Sequence, residues 1–246
     1  MAYLLENGTL AREEITVRSY DCDCKQTLRP SALLRYLQEI AGEHCALFGM
    51  DYDMLYENDG VFLIVRQSLN LYELPKKGET VLLQTWHRKT TGAQFIREMQ
   101  LLREDGSVLV DSTSVWVLAH VRDHKIWRPS DFTAYNLPHK PDPELPTRPG
   151  KLRVPDTLEQ IGVRPVRYTD LDYNGHVNNC VYADFLCDFM PGGMHDKTFD
   201  TLDISYIGEA KEGDTITMYA KWENEVLYFR GEHERGKCFE ARCTFK

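Results

Sequence analysis

With 246 residues, the chain has room for one large domain or two of ordinary size. Its 42% hydrophobic and 27% charged residues suit a globular protein with a real core, and no run reaches the roughly eighteen apolar residues of a membrane span. A net charge of −9 argues against nucleic acid as the main partner.

In chain order, the opening "MAYLLENGTLAREE" lacks a basic segment followed by an apolar run, so it does not read as a secretory signal. Seven cysteines without paired spacing read as reduced thiols of a cytoplasmic protein, packing as small hydrophobes. Neither a metal site nor a cofactor is expected from them. After the polar loop "VRSYDCDCKQT" comes a helix from about Pro30 to Leu47, with Leu33, Leu34, Leu37, Ile40 and Ala41 at helical spacing and Pro30 in the first turn. Four β-rich runs follow, "VFLIVRQSLNLY", "TVLLQTWHRKT", "AQFIREMQLLRE" and "SVLVDSTSVWVLAH", the last two joined by the hairpin turn "EDGS". The proline-rich "PHKPDPELPTRPGKLRVP" is too stiff and donor-poor for regular structure and reads as an extended linker. A second polar loop, "VRYTDLDYNGHVNN", precedes a helix from about Asn178 to Met190, with Asn178 or Asn179 as its N-cap and Val181, Phe185 and Phe189 on one face. Four more strands close the chain: "TLDISYIGEA", "TITMYAKWEN", "VLYFRGEHER" and "KCFEARCTF".

The two halves share one grammar. Val17, Arg18, Asp21, Asp23 and Leu37 fall on Val166, Arg167, Asp170, Asp172 and Leu186; "KKGETV" falls on "KEGDTI", and "EDGS" on "ERGK". Such matches in the same order point to a duplication. The expected fold is α+β, with each copy an antiparallel sheet and one buried helix. The boundaries are a first domain over 1–137, a linker over 138–160 and a second domain over 161–246.

If the halves are copies, the first is a control on the second. Asn174 falls on Lys25 and His176 on Thr27, while Asp172 keeps Asp23. A lone D-x-N-x-H is most often a capping or turn device, but a purely structural turn would look more alike in both copies. Asp172, Asn174 and His176 alternate, as if an extended loop aimed them at one cavity. Histidine is the natural acid–base group near neutral pH, and a carboxylate beside it can fix its tautomer. The helix start after the loop offers backbone N–H groups at Val177, Asn178 and Asn179 for an oxyanion. No serine lies in the motif, so water is the better nucleophile. His44 reads as a packed or surface histidine rather than a catalyst, and Asp170 as a brace for the loop.

These residues carry a resemblance. "DLDYNGHVNNCVYADFL", with "VRSYDCD", "LLRYLQEIAGEH" and "STSVWVL", resembles the signature of the acyl-acyl carrier protein (acyl-ACP) thioesterases. It spans nearly the whole chain. The family implies a tandem (double) hot-dog, two antiparallel sheets each wrapped around a long helix as an intrachain pseudo-dimer. It also implies hydrolysis of fatty acyl-ACP to free fatty acid and holo-ACP, with the acyl chain bound by the first domain. Its catalytic loop matches Asp172, Asn174 and His176. Its strand glutamate matches Glu209 in "YIGEA", and Ala210 stands where many plant members carry cysteine, which removes a thiol nucleophile. In the first copy Leu74 lies opposite Glu209, so one active site per chain is expected. The implied partner, an acidic carrier protein, needs a basic patch on this acidic chain. Candidates are Lys76, Lys77, "HRK" (87–89), "KLR" (151–153), Arg164 and Arg167. A coenzyme A thioesterase and a non-catalytic acyl-binding protein are the alternatives, and whether two chains pair as a homodimer stays open.

Overall fold

The computed structural model describes residues 1–88, 90–128, 130–131, 137–140 and 150–246. The chain forms two compact units, one comprising Met1–Gln67 and Tyr72–Arg148, the other Ser68–Leu71 and Pro149–Lys246. Much of the expected linker, residues 141–149, lies outside the described residues.

The first unit runs β1 (Tyr3–Leu5), β2 (Leu10–Thr16), α1 (Pro30–Ala46), α2 (Tyr52–Glu57), β3 (Val61–Leu71), β4 (Thr80–His87), β5 (Phe95–Leu102) and β6 (Val108–Ala119). Its strands lie in the order β1-β2-β4-β5-β6-β3. Helix α1 matches the expected span, and Leu33, Leu34, Leu37, Ile40 and Ala41 are all buried. Burial of each larger side chain contributes about 1.5–3 kcal/mol, and α1 spends this stripe against β4 and β2. It stops where Gly49 takes φ 72, the Met50 N–H returning to the Cys45 carbonyl at 3.0 Å and the Gly49 N–H to the Ala46 carbonyl at 2.9 Å. Helix α2 was not expected: six residues are too few for a periodic signal, although Asp51 caps it by accepting the Met54 N–H at 2.8 Å.

The second unit runs β7 (Glu159–Pro165), α3 (Val181–Asp188), β8 (Phe199–Tyr206), β9 (Thr215–Glu223), β10 (Val226–His233) and β11 (Gly236–Phe245). Its order, β8-β11-β10-β9-β7, repeats β3-β6-β5-β4-β2 of the first unit. The paired strands β4, β5, β6 and β9, β10, β11 are antiparallel hairpins, as their turn residues require. Helix α3 is shorter than expected from the sequence. The Asn178 side chain accepts the Cys180 N–H at 2.9 Å and holds a turn, so the helix starts at Val181 with Cys180 as N-cap. Pro191, Gly192 and Gly193 end it, the two glycines at φ 80 and 81. On its buried face Tyr182 packs on Phe239 at 4.7 Å and Tyr206 at 6.0 Å, and Phe185 lies 3.9 Å beneath the Arg164 guanidinium.

His44 is a packed residue. Fully buried, it accepts Arg97 Nη1–H on Nδ1 at 2.9 Å and donates Nε2–H to the Gly8 carbonyl at 3.2 Å. Burial first, and then the Arg97 charge, hold its pKa down to about 4 from the usual 6.5. The unfolded chain therefore binds a proton that the folded chain refuses. This stabilising difference is complete above 6.5 and is lost as pH falls toward 4. His87, buried beside the same arginine and held near 2, acts with the same sign. Denaturant titrations should thus show the midpoint falling steadily across that window, and His44→Gln should flatten the fall.

Candidate active site

The second polar loop is a closed turn, not an extended segment. The Asp172 N–H donates to the His176 carbonyl at 2.8 Å and the Gly175 N–H to the Asp172 carbonyl at 3.0 Å, with Gly175 at φ 77. The Asp172 Oδ1 accepts the backbone N–H groups of Asn174 at 2.8 Å and His176 at 3.3 Å. Short carboxylates satisfy nearby backbone donors in this way. The alternation of Asp172, Asn174 and His176 therefore does not set three side chains along one face of an extended segment. Asp172 holds the main chain from inside the turn, and Asn174 lies at its exposed tip.

The first unit builds the same turn from different residues. Asp23 Oδ1 accepts the N–H groups of Lys25 at 2.9 Å and Thr27 at 3.2 Å, and Gln26 takes φ 62 where Gly175 stands. Leu28 N–H donates to the Pro75 carbonyl at 2.9 Å, as Val177 N–H does to Ala210 at 2.8 Å. Bridges Thr27–Lys76 and His176–Lys211 coincide likewise. Leu74 thus occupies the place of Glu209, and it is buried. The carboxylate that shapes the turn is common to both units, whereas the imidazole and the glutamate belong to the second.

Glu209 comes from a loop, not a strand, because β8 ends at Tyr206. The chain then turns along β11: the N–H groups of Ile207 and Gly208 both reach the Cys238 carbonyl, at 2.8 and 3.1 Å. Gly208 is required by this approach, since a Cβ there would lie 2.8 Å from the Lys237 carbonyl oxygen. The next residue is delivered to the turn that carries His176. His176 Nε2 lies 3.2 Å from Glu209 Oε2, with side chains 22% and 37% exposed. The structure thus brings an imidazole and a carboxylate, distant in sequence, together within reach of solvent.

Two of the three expected oxyanion donors are spent. Val177 N–H donates to the Ala210 carbonyl and Asn178 N–H to the Asp170 carbonyl at 2.9 Å. One partner lies 33 residues away and the other across the turn, so spacing alone gave no sign of them. Of the expected set, Asn179 has its N–H outside these bonds. Asp170 is a buried brace: Arg164 grips both its oxygens at 2.8 and 2.9 Å, and Arg167 N–H adds a third bond at 2.8 Å. Arg164 is therefore engaged rather than a free docking charge. The "HRK" run fails as a patch too, since His87 and Arg88 are buried, Arg88 pairs with Glu98 at 3.0 Å, and residue 89 lies outside the described residues. Lys76, Lys77, Lys151, Arg153 and Arg167 are exposed. One residue of the site was missed from the sequence: His233, whose Nε2 lies 2.9 Å from the Glu209 carbonyl oxygen.

Comparison with known proteins agrees with this architecture. Residues 8–134 match the acyl-ACP thioesterase N-terminal domain model and residues 157–238 the C-terminal domain model. A chloroplastic palmitoyl-acyl carrier protein thioesterase of Cuphea hookeriana is 27% identical over 76% of this chain and 48% of its own length. Oleoyl-acyl carrier protein thioesterase 1 of Arabidopsis thaliana is 24% identical over 91% of this chain and 67% of its own. The chain thus spans about half the length of the palmitoyl relative. Among solved structures, an acyl-ACP thioesterase from Bacteroides thetaiotaomicron superposes with a TM-score of 0.88 at 19% identity, covering 99% of this chain and 100% of that one. The 12:0-ACP thioesterase of Umbellularia californica gives 0.81 at 18% identity, over 97% of each chain. The fold is the α+β tandem hot-dog, with the second helix shorter than expected. With both domain models matched in order, one on each unit, the chain belongs to the acyl-ACP thioesterase family.

Proposed function

We propose that the protein hydrolyses fatty acyl-ACP thioesters, releasing free fatty acid and holo-ACP. The observation that carries this reading is the 3.2 Å contact between His176 and Glu209, both of them groups that the first unit replaces with Thr27 and Leu74. Family membership supplies the substrate class. Glu209 takes a proton from water, whose oxygen attacks the thioester carbonyl carbon. The oxyanion is met by the Asn179 N–H, with Asn174 at the turn tip to position water or substrate. Collapse breaks the C–S bond, and His176 protonates the leaving thiolate. Asp172 serves by fixing the backbone on which Asn174 and His176 ride.

No helix among the described residues is long and apolar enough to cross a membrane, and seven free thiols suit a reducing compartment such as the cytoplasm. The exposed cations that remain candidates to meet an acidic carrier are Lys76 and Lys77 on the first unit and, separately, Lys151, Arg153 and Arg167 on the second. The test is thiol release from matched acyl-ACP and acyl-CoA of graded chain length. Faster turnover of the carrier-bound substrate, falling as salt rises, is the expected result. Preference for the CoA thioester would make the protein a coenzyme A thioesterase, and tight acyl binding without thiol release would make it a binding protein.

A further inference from the structure

We infer that His233 is a positioning residue for the reaction, holding the Glu209 main chain so that its carboxylate meets His176. This rests on Glu209 being the general base proposed above. His233 ends β10, just after a bulge between Gly231 and Glu232 that shifts the register against β11. Its two ring nitrogens have fixed duties. A carbonyl oxygen can only accept, so Nε2 carries the proton and donates to Glu209 at 2.9 Å. Nδ1 then accepts the Arg235 N–H at 3.1 Å. The imidazole is thus neutral, in one tautomer, and clamped between two backbone groups.

The clamp extends further. The Arg235 guanidinium grips Asp214 with both nitrogens, Nη1 at 2.8 Å from Oδ1, and Asp214 Oδ2 accepts the Lys211 N–H at 2.7 Å. His233 therefore fixes Glu209, and Asp214 with Arg235 fixes Lys211, two residues later. Between them Ala210 binds the catalytic turn through Val177, and Lys211 forms the bridge to His176. The backbone of Glu209 is tied on one side to β10 and on the other to the histidine loop.

The first unit again supplies the control. It keeps the backbone pattern: Glu79 N–H bonds Lys76 at 3.0 Å and Val17 N–H bonds Glu79 at 2.9 Å, as Asp214 bonds Lys211 at 3.0 Å and Val166 bonds Asp214 at 2.8 Å. In the shared register of "EDGS" and "ERGK", Arg103 stands for His233 and Asp105 for Arg235, with Leu74 for Glu209. Arg103 there turns to Glu73, at 2.6 Å. The first unit thus ties this hairpin position to a side chain, that of Glu73 beside Leu74, whereas the second ties it to the main chain of Glu209 itself.

Steady-state kinetics and thermal melts on the full chain test the inference. His233→Leu and His233→Phe keep bulk and remove the donor, whereas His233→Gln keeps an N–H. The donor-free variants should lose about 10- to 100-fold in kcat, the scale of a displacement of about 1 Å, with KM and Tm little changed. Gln should restore most of the loss, and adding His233→Leu to Glu209→Gln should cost nothing further. Normal kcat in both donor-free variants alongside an inactive Glu209→Gln overturns the inference, as does a loss in all three that tracks falling Tm. If Glu209→Gln itself keeps normal turnover, it is the general-base assignment that fails, and the two failures are told apart.

Discussion

Replacing Glu209 by Gln is expected to lower kcat by about 10²- to 10⁴-fold while leaving the protein folded, and His176→Ala should do the same. Glutamine keeps the shape of the side chain and its bonding reach but cannot take a proton from water. Because Glu209 is 37% exposed and delivered by a loop, Tm should barely move. Alanine at 176 removes the imidazole, while the turn persists, since its bonds use the backbone of residue 176 rather than its ring. The pair acts as one unit at 3.2 Å, so the double variant should be little worse than either single one. Single-turnover thiol release separates this chemistry from product release. If either single variant retains near-normal turnover, the assignment of the pair is wrong.

Asp170→Ala should cost stability rather than chemistry alone. The carboxylate sits almost completely buried, gripped by both nitrogens of Arg164 and by the Arg167 N–H. Removing it strands a guanidinium wedged against Phe185. Breaking a buried pair from one side costs about 3–5 kcal/mol, and the partial exposure of Arg164, 23%, places this case near the lower end. The pH dependence follows from the pair. Burial works to raise the Asp170 pKa, but Arg164 and the Arg167 N–H outweigh it and leave the group below 3.8. Its contribution is therefore present above 3.8 and fades as pH falls through the depressed value. Denaturant unfolding should show wild type and variant differing at neutral pH and converging in acid. The loss should also reach the site, because the Asp170 carbonyl holds the Asn178 N–H.

The strands were legible because alternation and turn glycines are local signals. Each of the eight runs read as extended contains a strand, and the strand order of the second unit repeats that of the first, as a duplication demands. What failed was whatever depended on which hydrogen-bond partner a polar group takes, which alternation and spacing do not encode. The start of α3 moved because the Asn178 side chain chose the Cys180 N–H. The oxyanion donors at Val177 and Asn178 were lost to Ala210 and Asp170. Alternate spacing gave the right residues for the turn and the wrong direction for Asp172. His233 had a signal in the sequence, the change from Arg103 under a common glycine, but only the Glu209 carbonyl gives that change a meaning.

The aspartate turn common to Asp23 and Asp172 has a consequence for ancestry. Because each turn is closed by an aspartate and main-chain donors, its folding is indifferent to whether a lysine or an asparagine, a threonine or a histidine, rides on it. After a doubling of one half, a copy could discard its catalytic groups by drift without paying in foldedness. The same robustness makes the first turn a receptive scaffold. The two halves can thus differ in chemistry while the turn that shapes both remains legible in each.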